Sequence, residues 1–279
     1  MTGRCDIRRV SWLRSRMTMV TGGQLEKTTS RRLRRSCAIG AVALFAGTAS
    51  AGADYAREER WAEQIVPGIV VGDPIYLSTP SRPRVLALYT EVANAKGGAI
   101  VVHGVGVHPD WGLIGGLRTG LADAGFATLS VQMPVLEANA LGEGYRELFP
   151  DAAERLQAAV AFLNAKGHRK IAIASHSMGA RMTNFFLAGA PGNGIGAWIA
   201  IGISSGEFAE AAKLRVPVLD IYGERDLPQV LKNANARAAV LKTLKGSAQV
   251  EVAGADHYFA GSEAELVKQA KLFLDQRLK

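Results

Sequence analysis

From residue 97 to the end of the chain, short apolar segments alternate with segments of helical spacing. Residues 99–102 form a continuous apolar run, which is typical of a strand buried on both faces. Strands that alternate with helices favour right-handed crossovers and a mostly parallel sheet. The other predicted strands cover residues 127–131, 170–174, 197–201, 216–221 and 248–252.

The predicted helices lie between and after these strands. A final helix is expected after Ser262, which together with Glu265 has the spacing of a capping box. Its expected buried side carries Leu266, Ala270, Phe273 and Leu274. The earlier predicted helices cover residues 113–124, 151–165, 181–190, 207–213 and 227–244.

The region before residue 97 has a different pattern. Residues 65–78 and 84–91 contain short apolar stretches, and the first of these ranges is broken by Pro-Gly and Gly-Asp-Pro turns. We expect antiparallel strands here, at one edge of the sheet. Residues 54–64 are charged and mildly amphipathic, which fits a short helix or an extended arm. No repeat or second domain boundary is evident, so residues 54–279 are predicted to form one domain.

Residues 1–53 have the composition of a leader. They hold ten of the Lys and Arg residues and only two acidic residues, followed by an apolar run over residues 38–49. Two Ala-x-Ala sites follow, ending at Ala51 and Ala53, which completes the pattern of a secretory signal. The apolar run is shorter than the roughly 20 residues of a spanning helix, although an uncleaved anchor is the alternative. We therefore expect an exported protein, periplasmic or secreted, with no membrane span once the leader is removed.

The leader also accounts for the charge of the chain. The net charge of +8 comes from 33 basic and 25 acidic residues, and removing the leader leaves 23 of each. A neutral domain gives no reason to expect a nucleic-acid partner. Both cysteines, Cys5 and Cys37, lie in the leader, so the remaining chain has no disulfide and no cysteine-based metal site. We predict no cofactor and no metal.

Residues 171–180 have the layout of a nucleophile elbow. An apolar strand leads into Ser175-His176-Ser177-Met178-Gly179, and a helix follows at once. Such a turn exposes a serine hydroxyl, here Ser177, and aims the next N–H, here that of Met178, at an oxyanion. The usual G-x-S-x-G pattern has Gly where this chain has Ser175. His176 is expected to be a packed, hydrogen-bonded residue, because neighbours in a tight turn point apart.

The loop after residue 102 reads His103-Gly104-Val105-Gly106-Val107-His108-Pro109-Asp110-Trp111. Its glycines allow close backbone approach, and the N–H of Val105 is the candidate second oxyanion donor. A dinucleotide-binding loop would need a third glycine where Pro109 stands. A metal site at the two histidines lacks a third ligand. The residues of this loop that we expect to bind substrate are His103, Gly104, His108 and Trp111.

Two further loops supply an acid and a base. Asp226 follows the strand at 216–221, and His257 follows the last strand. A carboxylate can orient a histidine and stabilise its charged form. Glu224 is the fallback for the acid, and Asp226 could instead cap the helix after it. The order Ser, Asp, His along the chain is that of the α/β-hydrolases.

These motifs resemble those of the α/β-hydrolase superfamily over residues 85–279. The HGxGxHPDW and SHSMG segments are also similar to an uncharacterised family of exported bacterial α/β-hydrolase-like proteins. The resemblance implies an α/β-hydrolase fold with antiparallel N-terminal edge strands. The resemblance also implies that Ser177 is the nucleophile, Asp226 the acid of the triad and His257 the base.

The function predicted from this site is a serine hydrolase that cleaves a carboxylic ester through an acyl-enzyme. The expected partner is a small-molecule or lipid-like ester. The same triad acting on an amide, thioester or polyester is one alternative, and a non-catalytic exported binding module is another. No insertion long enough for a lid is present, so we expect an open site that favours short acyl chains. The loop at residues 134–150, with Tyr145, Leu148 and Phe149, is expected to border it.

Overall fold

The computed structural model describes residues 52–189 and 194–279. The predicted leader lies outside these residues, apart from Gly52 and Ala53. The last residue of the helix predicted at 181–190 is also outside them. Within the described residues, no helix is both long enough and apolar enough to cross a membrane.

Eight strands form a single sheet in the order β1-β2-β4-β3-β5-β6-β7-β8. The pairs β1–β2 and β2–β4 are antiparallel, and every other pair is parallel. The mostly parallel sheet and its antiparallel N-terminal edge are therefore confirmed. The strands are β1 (Asp73–Leu77), β2 (Val85–Thr90), β3 (Gly98–Val102), β4 (Ala127–Val131), β5 (Ile171–His176), β6 (Ile195–Ile201), β7 (Val218–Arg225) and β8 (Ala248–Asp256).

Helices cover both faces of the sheet, so every residue of β3 and β5 is buried. One apolar cluster joins the sheet to the helices at Phe149–Ala165 and Met178–Gly189, and a second joins it to the helices at Gly112–Asp123 and Glu263–Arg277. The helices are α1 (Tyr55–Ile65), α2 (Gly112–Asp123), α3 (Phe149–Ala165), α4 (Met178–Gly189), α5 (Pro228–Lys232), α6 (Ala234–Leu241) and α7 (Glu263–Arg277). Short 3₁₀ helices cover Val66–Gly68, Gly142–Leu148 and Ala211–Lys213.

The expected secondary structure is wrong in three places. Residues 65–78 hold the end of α1, a 3₁₀ turn with Pro67 as its second residue, and one strand rather than several. Residues 207–213 form only the short turn Ala211–Lys213. The helix expected at 227–244 is two helices, because Asn233 leaves the helical conformation with φ −101° and ψ 7°.

The predicted capping box of the last helix does not form. Ser262 is the N-cap of α7, but its side chain makes no capping hydrogen bond. The Glu265 carboxylate instead accepts hydrogen bonds from Lys268 and Gln269 farther along the helix. The predicted buried side of α7 is correct: Leu266, Ala270, Phe273 and Leu274 are all buried.

Candidate active site

The parallel topology brings the carboxyl ends of β3, β5, β7 and β8 to one edge of the sheet. Each of these strands is followed by one of the four loops singled out in the sequence. Ligand sites of open α/β sheets lie outside this edge. Three residues from distant parts of the chain meet here: Ser177, Asp226 and His257.

Ser177 lies in a strained turn between β5 and α4. Its φ is +56°, a conformation that a non-glycine residue adopts only at a cost of about 1–3 kcal/mol. Gly179 is required two residues later, because a Cβ there would overlap the carbonyl oxygen of His103. The turn therefore holds the serine hydroxyl at the end of the strand while the helix passes close to the neighbouring loop.

Ser175, which replaces the usual glycine of this turn, has a partner of its own. The indole Nε1–H of Trp198 on β6 donates a hydrogen bond of 2.8 Å to the Ser175 hydroxyl. Both side chains are fully buried. The extra hydroxyl is thus satisfied by the adjacent strand, and the departure from G-x-S-x-G leaves the turn intact.

A continuous hydrogen-bonded chain joins the three residues. The distance from Ser177 Oγ to His257 Nε2 is 3.0 Å, and that from His257 Nδ1 to Asp226 Oδ1 is 2.6 Å. All three side chains belong to buried residues. Because Nδ1 donates to the carboxylate, Nε2 is left as the acceptor for the serine hydroxyl.

The carboxylate of Asp226 is held by main-chain donors as well. The N–H of Leu227 donates to Oδ1 at 2.7 Å and that of Gly223 to Oδ2 at 3.3 Å. Burial on its own would raise the pKa of Asp226, but the hydrogen bonds from His257 and the main chain outweigh it and lower the pKa. The group is therefore ionised at neutral pH and can stabilise a positive charge on His257.

The other acidic candidates have different partners. Glu224 accepts a hydrogen bond of 2.7 Å from the N–H of Gly254, at the exposed surface. Asp220 is fully buried in β7, where it pairs with Arg237 at 2.8 Å and accepts a hydrogen bond from Gln249. Of the carboxylates considered, only Asp226 bonds to His257.

Gly202 is a site residue that the sequence analysis missed. It follows β6 and has φ +51°. A Cβ at this position would lie 2.9 Å from Asp226 Oδ2 and 3.1 Å from His257 Nδ1. The only signal in the sequence is a glycine directly after a buried strand. Because Gly202 has no side chain, Asp226 and His257 can approach each other.

The loop after β3 is organised by His103. This residue is buried, and its Nε2 accepts the N–H of Met133 at 2.8 Å. Nδ1 therefore carries the proton and donates to the carbonyl of Gly104, also at 2.8 Å. Burial lowers the pKa of His103 to about 3, so the ring is neutral at physiological pH.

That hydrogen bond orients the peptide between Gly104 and Val105. In a trans peptide the C=O and the N–H point in opposite directions. Because His103 holds the Gly104 carbonyl on the buried side, the N–H of Val105 is turned away from it. Among the described residues, neither this N–H nor that of Met178 has a hydrogen-bond acceptor. Gly104 itself lies against the Ser177 side chain.

The four residues expected to bind substrate have distinct positions. His103 supports the loop from within and does not face solvent. Gly104 contacts Ser177, as above. His108 is half-buried, with its ring 5.9 Å from that of Trp61, and burial lowers its pKa. Trp111 packs edge-on against Tyr258, with 5.7 Å between ring centroids.

Tyr258 was not considered in the sequence analysis, yet it lies beside His257. Its ring centroid is 5.2 Å from that of His257, and the side chain is 53% exposed. The ring centroid of His176 lies 4.7 Å from that of His257 and 6.1 Å from that of Tyr258. The Nε2–H of His176 donates to the His257 carbonyl at 2.9 Å. Burial lowers the pKa of His176 to about 4. The ring of His176 is thus neutral and helps to hold His257 in place.

Helix α1 reaches the same loop, which no local pattern indicated. Arg57 donates to the carbonyl of Leu136 at 2.7 Å and to that of Gly106 at 3.4 Å. Its guanidinium lies over the ring of Trp61, which in turn packs against His108. The segment directly after the predicted leader therefore braces the loop that carries Val105.

The sequence matches a known family. The family described as "Protein of unknown function (DUF3530)" matches residues 81–153 and 143–253, which is more than half of the 279 residues. The chain belongs to the DUF3530 family. No curated protein matches it significantly.

Solved structures show the fold of this DUF3530 protein. It is similar to a dienelactone hydrolase from Anabaena variabilis, with a TM-score of 0.60, 20% identity, and coverage of 74% of this chain and 97% of that one. It is also similar to an α/β serine hydrolase without a lid from Xanthomonas campestris, with a TM-score of 0.57, 18% identity, and coverage of 75% of this chain and 95% of that one. For an esterase from Pyrococcus furiosus the TM-score is 0.60 and the identity 15%, with coverage of 74% of this chain and 93% of that one. The DUF3530 protein has the α/β-hydrolase fold, without a large lid.

Proposed function

We propose that this DUF3530 protein is a serine hydrolase that cleaves carboxylic esters through an acyl-enzyme. The observation that carries the proposal is the bonded chain from Ser177 Oγ to His257 Nε2 and from His257 Nδ1 to Asp226, at 3.0 and 2.6 Å. A nucleophile, a base and an orienting carboxylate in this geometry are what acyl transfer needs.

In the first step, the Ser177 oxygen attacks the carbonyl carbon of the ester while His257 Nε2 takes the hydroxyl proton. The carbonyl π electrons move to the oxygen, and a tetrahedral oxyanion forms. The bond to the alcohol then breaks, and His257 gives its proton to the departing alkoxide. The products of this step are a free alcohol and an ester between the acyl group and Ser177.

Water completes the cycle. His257 removes a proton from a water molecule while the water oxygen attacks the acyl carbon, which forms a second oxyanion. This oxyanion collapses, and the bond between the acyl carbon and the Ser177 oxygen breaks. The serine oxygen recovers a proton from His257, and a carboxylic acid leaves. Asp226 remains ionised throughout and stabilises the imidazolium, because its pKa is lowered.

The N–H groups of Val105 and Met178 are the proposed donors to both oxyanions. Each is without an acceptor among the described residues and comes from the loop or turn next to Ser177. Loss of one such donor typically lowers kcat by about 10²–10³-fold. His103 acts here through the Gly104 peptide and does not itself contact the substrate.

A fluorophosphonate probe tests the proposal directly. We expect covalent labelling of the wild-type protein and none of Ser177→Ala, with matching loss of turnover of short nitrophenyl esters. His257→Ala should also abolish turnover. Well-folded protein that is neither labelled nor active would contradict the proposal and favour a binding module. If the protein is active, a panel of esters, thioesters and amides decides which acyl bond is preferred.

The open, lidless edge leads us to propose short acyl chains as substrates. Of the residues expected to border the site, Tyr145 and Leu148 are buried in the core, which differs from that expectation. Phe149 is partly exposed and packs against Phe185 at 5.7 Å. A chain-length series of nitrophenyl esters should give a short-chain optimum, whereas a long-chain optimum with interfacial activation would contradict it.

We also propose that the protein is exported and that its leader is cut after Ala51. Ala53 packs against the apolar core, and the N–H of Asp54 donates to the carbonyl of Val135 at 2.7 Å. A cut after Ala53 would remove the first contact and alter the second. The mass of the mature protein from an exporting cell distinguishes the two sites, and an intact leader would contradict export by this route.

A further inference from the structure

An arginine close to the proposed nucleophile has lost most of its water without gaining a hydrogen-bond partner. The Arg181 side chain is 10% exposed, and burial lowers its pKa. Its nearest carboxylate oxygen, on Glu143, is 3.8 Å away on a side chain that is 78% exposed. Among the described residues, none accepts a hydrogen bond from the five N–H donors of this guanidinium.

Arg181 lines a cavity of about 310 Å³ beside helix α4. A fully buried polar atom without a partner among the described residues lies on the same wall. Asn184 is 1% exposed, and its amide nitrogen donates to the carbonyl of Ala209 at 2.9 Å. Its Oδ1 has no donor within the described part of the chain. Buried polar atoms are normally paired, so the unpaired oxygen of Asn184, beside a guanidinium that has no hydrogen-bond acceptor in the described ranges, indicates a polar ligand or bound water.

Ser177 does not itself line the cavity, but two lining residues lie close to it along neighbouring elements. Arg181 is the fourth residue of α4, about one helical turn after Ser177, which immediately precedes the helix. On the facing loop, the N–H of Ser204 contacts the Ser177 carbonyl at 3.4 Å, and the next residue, Ser205, lines the cavity. Phe149 and Phe185 form an apolar part of the wall.

Other charges at this cavity are exposed or already paired. Arg146 pairs with Glu143 at 3.4 Å, both with side chains more than 70% exposed. Glu210 is paired with Lys213. Glu207 is exposed and weakens the positive field at Arg181. Exposed charges are screened by water, whereas the guanidinium of Arg181, with a side chain only 10% exposed, is screened less, so Arg181 determines the sign of the group that the cavity accepts.

We propose that this cavity binds a carboxylate of the substrate, so that the preferred esters carry a negative charge close to the bond that is cleaved. The planar guanidinium donates two parallel hydrogen bonds to a carboxylate, which supplies orientation as well as affinity. The apolar wall accommodates the few carbons between the carboxylate and the ester. This inference rests on the proposed esterase activity and adds the class of its substrate.

Two matched pairs of esters test the inference with the charge on either side of the cleaved bond. The first pair is mono-4-nitrophenyl glutarate and 4-nitrophenyl pentanoate. The second is 4-acetoxybenzoate and its neutral methyl ester. For at least one pair we expect the charged ester to have the higher kcat/KM. In Arg181→Met that advantage should fall by about 10- to 100-fold, the usual effect of losing a hydrogen-bonded ion pair.

Arg169→Met is the control, because it removes the same charge from an exposed position before β5, at the opposite end of that strand from Ser177. It should leave the ratio of charged to neutral turnover unchanged. Arg181→Lys should keep part of the preference. Labelling by a neutral fluorophosphonate shows that each variant is folded and has a working triad. Binding of the glutarate half-ester to Ser177→Ala, measured by calorimetry, gives a readout without turnover and should weaken in the Ser177→Ala/Arg181→Met double variant.

Failure of the two proposals gives different results. If neutral esters are cleaved and Ser177 is labelled, but no charged ester is preferred or Arg181→Met keeps the preference, the carboxylate site is wrong and the esterase stands. If Ser177 is not labelled and no ester is cleaved, both proposals are wrong.

Discussion

The hydrogen bonds of His103 allow its two ring nitrogens to be tested separately. Nδ1 donates to the carbonyl of Gly104 and so orients the proposed oxyanion donor of Val105. Nε2 accepts the N–H of Met133 and that of the Gln132 side-chain amide, at 2.8 and 3.1 Å, and so connects the loop to the segment after β4. In His103→Asn the amide nitrogen takes the place of Nδ1, and in His103→Gln the amide oxygen takes the place of Nε2. The first variant keeps the bond to Gly104, and the second keeps the bond to Met133.

The expected effects differ in size and kind. One such hydrogen bond contributes about 0.5–1.5 kcal/mol, and about 1.4 kcal/mol corresponds to a tenfold change. Complete loss of an oxyanion donor lowers kcat by about 10²–10³-fold. His103→Gln should therefore lower kcat by roughly 10- to 100-fold with little change in KM. His103→Asn should keep kcat within about threefold while losing about 1–3 kcal/mol of stability, since the Met133 N–H is left unpaired.

The assay is steady-state turnover of a short nitrophenyl ester, together with inhibition by a trifluoromethyl ketone, which forms a tetrahedral oxyanion on the enzyme. His103→Gln should weaken binding of the ketone by the same factor by which it lowers kcat. KM reports ground-state binding of the ester and should stay nearly unchanged. Urea unfolding gives the stability of each variant. Equal kcat values for the two variants, or a larger loss in His103→Asn, would refute the argument that the Gly104 peptide is what His103 controls.

Three further predictions follow from the site. Asp226→Asn should lower kcat by up to about 10⁴-fold with little change in fold, since an amide favours the wrong tautomer of its histidine partner. Comparison of its kcat with that of Asp226→Glu, which keeps a carboxylate, measures this loss. Ser175→Gly should restore the usual turn pattern without raising activity and should destabilise the protein by about 1–3 kcal/mol, measured by urea unfolding, because the buried indole N–H of Trp198 loses its acceptor. The pKa values of His103 and His176 are lowered to about 3 and about 4 in the folded protein, so the unfolded chain takes up their protons first and stability falls as the pH drops below about 6.5. Each should contribute a slope of about 1.4 kcal/mol per pH unit down to its folded pKa, and His176→Gln should flatten the dependence in urea titrations.

The fold was predictable because its signals are local. Each buried strand of the parallel part is a short apolar run, and each loop that carries a polar candidate directly follows one. Once the sheet is parallel, the ends of β5, β7 and β8 must meet at one edge. The residues proposed as triad could therefore be placed together from the sequence, although the contacts between them span up to 80 residues.

Other features depend on contacts that no local pattern reveals. The hydroxyl of Ser175 is tolerated because Trp198 lies opposite on the next strand. Gly202 matters because an acid and a base from two other loops converge beside it. Asn233 divides a helix that the apolar spacing shows as continuous. In each case the decisive neighbour is far away in sequence or is a single backbone angle, so spacing alone does not predict it.

The segment from His103 to Trp111 shows why a loop without a regular pattern can still be a rigid part of a site. Its first peptide is held by His103, and its middle is held by Arg57 through the carbonyl of Gly106. Toward its end, Ser130 donates to the carbonyl of Pro109 at 2.7 Å.

The last anchor of this loop is an ion pair. Asp110 pairs with Arg118 of α2, and Arg118 also donates to the carbonyl of Val71 at 2.6 Å. These anchors come from α1, α2, β4 and the segment before β1, so the loop is fixed by elements on several sides. An oxyanion donor stabilises a transition state only if it is already in position, since movement during the reaction would offset the gain. The polar and glycine residues of this motif are therefore better explained by the need to hold one N–H in place than by contacts with a substrate.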